Sequence, residues 1–260
     1  MSAATQTIES NGKVAIVTGC ASGVGFATTI RFLSSKYYVL AVDINELDYA
    51  KLGDVSTERL HFYRGNLLAD GETDKVIKLC TEKFGPKLDV LANVAGIADG
   101  LASADNFYDD EWDRVIGVNL TIPTRLIRGA IPLMRANGGG SIVNVCSKSS
   151  TSGASGGVAY TASKHGLLGV TRSTAFHFRN EGIRCNAVSP GRVSDTNIDL
   201  LSMKTFDKSA FDRALPVFGL CDMEGIKGDD VANAILFLSS DGAKSISGVD
   251  MPLDKAWSTL

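Results

Sequence analysis

Short apolar runs recur along the chain: VAIVT (Val14 to Thr18), YVLAVD (Tyr38 to Asp43), LHFYRG (Leu60 to Gly65), DVLANVAG (Asp89 to Gly96), SIVNVCS (Ser141 to Ser147) and RCNAVSP (Arg184 to Pro190). They lack the apolar and polar alternation of a strand with one wetted face, so they predict strands buried on both faces. Between them apolar residues fall at helical spacing: FATTIRFLSS behind the first run, a long amphipathic helix from about Asp109 to Arg135, and the helix carrying AYTASKH (Ala159 to His165). Strands in alternation with helices form βαβ units, which require a parallel sheet covered on both sides. The predicted fold class is therefore α/β, a single-domain, Rossmann-like, doubly wound parallel sheet with helices on both faces.

A chain of 260 residues suits one such domain. Met1 to Asn11 has neither a basic start nor an apolar stretch and reads as a flexible tail, not a signal peptide, leaving 12–260 as the domain. The apolar runs fall far short of the roughly 20 residues of a membrane span, so a cytoplasmic protein without a membrane partner is expected. A net charge of −3 gives no general attraction to nucleic acid. Five cysteines form no CxxC pair and only three histidines are scattered along the chain, so free thiols are expected and no metal site.

The first strand runs directly into GCASGVG (Gly19 to Gly25) and then a helix. Glycines there let the backbone approach a pyrophosphate, and the helix amino terminus behind them supplies free N–H groups and the positive end of its dipole. The second strand ends at Asp43, 18 residues after Gly25, where a carboxylate can accept from both ribose hydroxyls of adenosine and repel a 2′-phosphate. With no Lys or Arg in the glycine turn and Ile44 next to Asp43, the cofactor expected is NAD rather than NADP. A helix N-cap for INELDYAKL is a second, compatible reading of Asp43.

Tyr160 and Lys164 are four apart, so on a helix they share one face. A nearby ammonium stabilises phenolate and brings a phenol's pKa down from about 10. Ser147, thirteen residues before Tyr160, ends the strand SIVNVCS at the same sheet edge as the glycine turn, where its hydroxyl can donate to a carbonyl. Asn119, polar amid the apolar neighbours of VIGVNL, reads either as a buried amide bonded to backbone or as the holder of a water against Lys164.

These residues, in this order and spacing, resemble the short-chain dehydrogenase/reductase family from Lys13 to Trp257: TGxxxGxG as Thr18 to Gly25, NxAG as Asn93 to Gly96, the helical asparagine as Asn119, then Ser147, YxxxK as Tyr160 and Lys164, and PG as Pro190 and Gly191. The resemblance implies that Tyr160 is the general acid/base and that Ser147 positions the substrate oxygen. It implies that Lys164 lowers the tyrosine pKa and contacts the nicotinamide ribose, and that Asn119 supports a relay water. It implies cofactor contacts from Gly19, Ser22, Gly23, Val24, Gly25, Asp43, Asn66, Leu67, Asn93, Ala95, Gly96, Tyr160, Lys164, Pro190, Gly191, Val193 and Thr196. A homodimer or homotetramer is expected, the dimer through the helices carrying Asn119 and Tyr160.

The chain departs from the family's pattern at three places. Asn66 stands where an aspartate is usual, and its amide oxygen can still accept from the adenine amino group. Asp195 occupies the usual threonine position, so either the loop shifts by one residue to Thr196 or Ser194 substitutes. LDKA (Leu253 to Ala256) replaces VDGG, placing Lys255 where two chains often meet.

Between Gly191 and Gly225 the chain carries Leu200, Leu201, Met203, Phe206, Phe211, Leu215, Val217, Phe218 and Leu220. An apolar segment at about 191–225 reads as a lid over a hydrophobic small molecule, or as short helices packed on the core or a partner subunit. The expected function is an NAD-dependent oxidoreductase interconverting a secondary alcohol and a ketone on a bulky terpenoid, steroid or polyketide-like molecule, working as an oxidation. Net isomerisation, dehydration or cyclisation on the same fold stays open, as does a nucleotide sensor without catalysis.

Overall fold

The computed structural model describes residues 12–196, 205–221 and 224–259. The tail Met1 to Asn11 and the lid residues Leu200, Leu201 and Met203 lie outside them.

All the predicted strands form: β1 (Val14–Thr18), β2 (Tyr38–Asp43), β3 (Leu60–Arg64), β4 (Val90–Asn93), β5 (Gly140–Val145) and β6 (Ile183–Pro190). A seventh, β7 (Asp250–Leu253), was not foreseen: Pro252 and an acidic first residue disguise it, and both are tolerated because β7 sits at the sheet edge. The sheet is parallel in the order β3-β2-β1-β4-β5-β6-β7. The order reverses between β1 and β4, and that is where the carboxyl ends of such a sheet leave a crevice.

The absence of alternation has its physical cause in two cores. Val14, Ile16, Leu40 and Val42 pack against α2 (Glu72–Phe84), α4 (Ile122–Ala136) and α5 (Val158–Phe178) through Val76, Phe84, Leu126, Met134 and Ala175. Their immediate neighbours Ala15, Val17, Val39 and Ala41 face α1 (Gly23–Ser34) and α7 (Gly228–Ser239) through Phe32, Leu33, Val231, Ile235 and Leu238. Successive residues point to opposite faces, so a strand covered on both must be apolar throughout.

Two helical expectations are corrected. The helix foreseen from Asp109 to Arg135 is α3 (Asp109–Ile116) and α4, joined by a π-helical stretch from Gly117 to Thr121. Pro123 explains part of it: proline has no N–H to donate to the carbonyl four residues back, which is that of Asn119. INELDYAKL does not form a helix capped by Asp43. It holds a single 3₁₀ turn, Tyr49–Leu52, capped by Asp48, whose carboxylate accepts from Ala50 N at 3.1 Å.

Candidate active site

The amino-terminal half of the site is a set of close approaches between backbones. Thr18 Oγ1 accepts from Val94 N (3.0 Å) and Ala95 N (3.1 Å), tying the end of β1 to the segment after β4. Gly19 has φ +74°, and a Cβ on it would lie 2.9 Å from Ala95 Cα. A Cβ on Gly25 would lie 1.9 Å from Gly19 O, so any side chain there would force the turn open. Behind the turn, α1 starts at Ser22 with no side chain capping it, leaving its first N–H groups to the cleft.

Asp43 is held from two sides. Its Oδ2 accepts from Ala21 N and its Oδ1 from Asn45 N, both at 2.9 Å. The nearby Arg64 guanidinium is engaged by Glu46 (2.6 Å) and by Ile44 O (3.0 Å). Asn66 Oδ1 accepts from Leu68 N at 3.1 Å, leaving one lone pair on that oxygen for a ligand. Asn93, expected among the cofactor contacts, does not line the cleft. It is 2% exposed and donates to Asn144 Oδ1 at 2.8 Å, and Asn144 in turn donates to Thr171 of α5 at 2.8 Å, so it joins strands to helix.

Asn119 is fully buried in the π-helical stretch. Its amide accepts from Ile97 N (2.9 Å) and donates to Ile97 O (2.8 Å) and Ser163 Oγ (3.1 Å). A Cβ on Gly96 would sit 3.4 Å from both Asn119 Oδ1 and Lys164 Nζ, so the glycine keeps open the space that these two atoms face. Lys164 Nζ donates to Val145 O at 2.8 Å and lies 5.5 Å from the centre of the Tyr160 ring. Ser147 begins a 3₁₀ turn and its Oγ accepts from Ser149 N at 3.1 Å, which leaves its hydroxyl hydrogen to donate elsewhere.

Burial decides the protonation of the pair. It pushes the Tyr160 phenol up to about 12, opposed chiefly by a hydrogen bond with Ser147, and it lowers Lys164 to about 8. In this arrangement the ammonium is turned to Val145 O, and the hydroxyl of Ser147 is the group that opposes the effect of burial on the phenol.

A residue that the sequence did not single out holds the start of α5. Asp99, 2% exposed, accepts from Tyr160 N (2.8 Å), Gly157 N (3.0 Å) and Leu101 N (3.2 Å). It caps from a distant loop a helix whose own N-cap residue, Gly157, has no side chain to do so. Only the position of an Asp soon after NxAG could have hinted at it.

In the loop after PG, Ser194 is turned away, bonded to Ile226 O (3.2 Å) and Lys227 Nζ (3.0 Å). Asp195 accepts from Gly228 N at the start of α7 (2.8 Å), while Thr196 lies against the glycine turn, its Cγ2 3.0 Å from where a Gly23 Cβ would be. Of the two alternatives, the shift to Thr196 is the one this loop adopts. At the LDKA segment, Lys255 and Ala256 take φ +49° and +69°, a left-handed backbone that glycine adopts with less strain.

Most of the predicted site residues border one cleft of about 1660 Å³ at the carboxyl edge of the sheet; Asn93 and Asn119 stand behind its wall. Gly19, Ser22, Gly23, Val24, Gly25, Asp43, Asn66, Leu67, Ala95 and Gly96 line one end; Ser147, Tyr160, Lys164, Pro190, Gly191, Val193 and Thr196 line the middle. Phe206 with Phe211, Leu215 and Phe218 of α6 (Lys208–Phe218) and Trp257 line the other end. Among the described residues, no group of three His, Cys, Asp or Glu could hold a metal, and no helix is long and apolar enough to cross a membrane.

Residues 13–204 match the family model for short chain dehydrogenases. The chain is 42% identical over 252 residues to the short chain dehydrogenase adrF of Penicillium rubens, covering 95% of this chain and 97% of that one. It is 43% identical over 256 residues to the short chain dehydrogenase ple7 of Rhodocybe pseudopiperita, covering 96% and 99%. Among solved structures it is similar to levodione reductase, with a TM-score of 0.83 and 26% identity over 95% of this chain and 98% of that one.

Proposed function

The chain belongs to the short-chain dehydrogenase family of oxidoreductases, and on that premise we propose that it oxidises a secondary alcohol to a ketone on a bulky hydrophobic small molecule, with NAD as hydride acceptor. The observation that carries this reading is one continuous cleft joining the glycine turn, the Ser147, Tyr160 and Lys164 group, and an apolar wall.

The residues fit a dinucleotide. The uncapped start of α1 offers N–H groups to a pyrophosphate, Asp43 is fixed at the end of β2 where it can meet a ribose, and Gly96 leaves room beside Lys164 and Asn119. Bound NAD supplies the acceptor for hydride; the protein supplies orientation and proton transfer. Ser147 donates to the substrate oxygen. Tyr160 as phenolate takes the carbinol proton, and in the reverse direction the phenol returns it.

Bringing a phenol from about 12 to neutrality takes on the order of 7 kcal/mol at 1.36 per unit. The single hydroxyl hydrogen of Ser147 goes to the substrate oxygen, so positive charge beside the phenol, that of Lys164 first, has to supply this stabilisation.

The choice of NAD is supported by the Asp43 carboxylate at the end of β2, which would repel a 2′-phosphate, and by the engagement of Arg64, its neighbour on β3, with Glu46. The test is a fluorescence titration with NADH and NADPH, repeated on Asp43→Ala. Binding of NADH at least about tenfold tighter, some 1.4 kcal/mol, and loss of that margin in the variant is the expected result. A preference for NADPH overturns the cofactor assignment, and binding of neither overturns the oxidoreductase reading.

A further inference from the structure

One side chain in the cleft has no task in this mechanism. Lys148 follows Ser147 directly and opens the same 3₁₀ turn, yet it is only 9% exposed. Its ammonium lies 5.8 Å from the centre of the Trp257 ring, in the cleft wall near the PG turn. Among the described residues it makes no ion pair and its ammonium donates no hydrogen bond.

The stem of the side chain is buried while its ammonium reaches the cleft, where the face of the indole contributes about 0.5–2 kcal/mol and the donors stay open to a ligand. The indole is itself fixed: Trp257 Nε1 donates to Val217 O of α6 at 3.2 Å, so the ring is a rigid wall and not a partner that can close over the charge. The carboxylates that share the cleft are committed elsewhere, Asp43 to Ala21 and Asn45, and Asp99 to two N–H groups at the start of α5 and to that of Leu101. A second cation, Arg192, lines the cleft beside Gly191, whose own Cβ position faces Asp254 and Trp257. The substrate end thus combines an apolar wall with positive charge next to the serine that receives the reacting oxygen.

We propose that Lys148 is a specificity-determining residue and that the substrate carries a carboxylate within a few bonds of the carbinol or ketone carbon. Ser147 and Lys148 are adjacent in the chain, so an oxygen on Ser147 and a carboxylate on Lys148 belong to one compact part of the ligand. This rests on the oxidoreductase reading above and narrows its substrate from a hydrophobic molecule to a hydrophobic acid.

The test is a calorimetric titration of the full chain, without cofactor, using ketopinic acid and its methyl ester. Ketopinic acid is a rigid bicyclic ketone with a carboxylate on the carbon next to the carbonyl. The acid is expected to bind at least about tenfold more tightly than the ester. Lys148→Met is expected to erase that margin and Lys148→Arg to keep most of it, with NADH affinity unchanged in both. Equal binding of acid and ester by the unaltered protein, no binding of the acid, or a margin that survives in Lys148→Met overturns the proposal. The comparison of acid with ester on the unaltered protein decides the matter even if Lys148→Met does not fold. NADH titration of the same samples separates the two readings: an intact NADH site without an acid preference defeats only the role of Lys148.

Discussion

The two ends of the cleft are built in opposite ways. At the nucleotide end three polar side chains are fixed by main-chain groups: Thr18 by Val94 and Ala95, Asp43 by Ala21 and Asn45, and Asn66 by Leu68. At the substrate end much of the wall is side chain still open to water, Phe206 at 46% and Leu215 at 48% exposed, with the Lys148 ammonium reaching in beside the fixed Trp257. The first end is preorganised and loses little freedom when a ligand arrives, whereas the second takes its shape from the ligand and stakes selectivity on apolar area and one charge. A rigid end suits a cofactor common to many reactions; an adaptable end suits a substrate particular to one.

Between the two ends stands Tyr160, and its removal is the largest break. Tyr160→Phe is expected to lower turnover by about 10²–10⁴-fold while NADH binds as before, because the hydroxyl serves proton transfer and not the hold on the nucleotide. The pH dependence has a definite sign. Burial holds the phenol at about 12, so at neutral pH phenolate is the minor form. The kcat/KM for alcohol oxidation should rise with pH as the phenol loses its proton, and that for ketone reduction should fall. Profiles without opposite slopes, or a phenylalanine variant with a tenth of the activity or more, would remove Tyr160 from the proton path.

The rigid end is also the part legible in the sequence. Glycines spaced between an apolar run and a helix, or a Tyr four residues before a Lys, are local patterns fixed by backbone geometry, and they fell where the structure has them. What was missed depends on distant partners. Asp99 acts on Tyr160 N across 61 positions, and Lys148 is significant only because Trp257 and the PG turn come to lie around it. The π-helical stretch had a local sign in Pro123, but proline near the start of a helix is common enough that its effect on the Asn119 carbonyl does not show until the neighbouring turns are known.

Asp99 offers an intermediate test, since it couples the segment after β4 to the helix of Tyr160. In Asp99→Asn one acceptor oxygen becomes an NH₂ facing a backbone N–H. The cost expected is about 2 kcal/mol, the sum of a weakened cap and an unsatisfied buried donor. For a chain of this size that is a fall of roughly 4–8 °C in Tm. Because the cap touches the first turn of α5 and not the glycine turn, kcat should drop several-fold while NADH affinity holds. A variant that melts lower with kcat unchanged would make Asp99 a stabilising cap without influence on the position of Tyr160.

The smallest effects separate a lid from a subunit contact. Leu215 is 48% exposed and lines the cleft; Leu220, 60% exposed, is not among the residues lining it. Half of a leucine's burial is worth on the order of 1 kcal/mol, so Leu215→Ser should raise KM for a hydrophobic alcohol about fivefold, and Leu220→Ser should leave it alone. Neither side chain is in the core, so both variants should melt within about 2 °C of the unaltered protein. If these leucines instead pack on a second copy of the chain, the two variants will behave alike: KM unchanged, Tm lowered, and the loss greater at low protein concentration, because dilution removes the partner by mass action. The first result assigns α6 to the substrate, and the second assigns it to assembly.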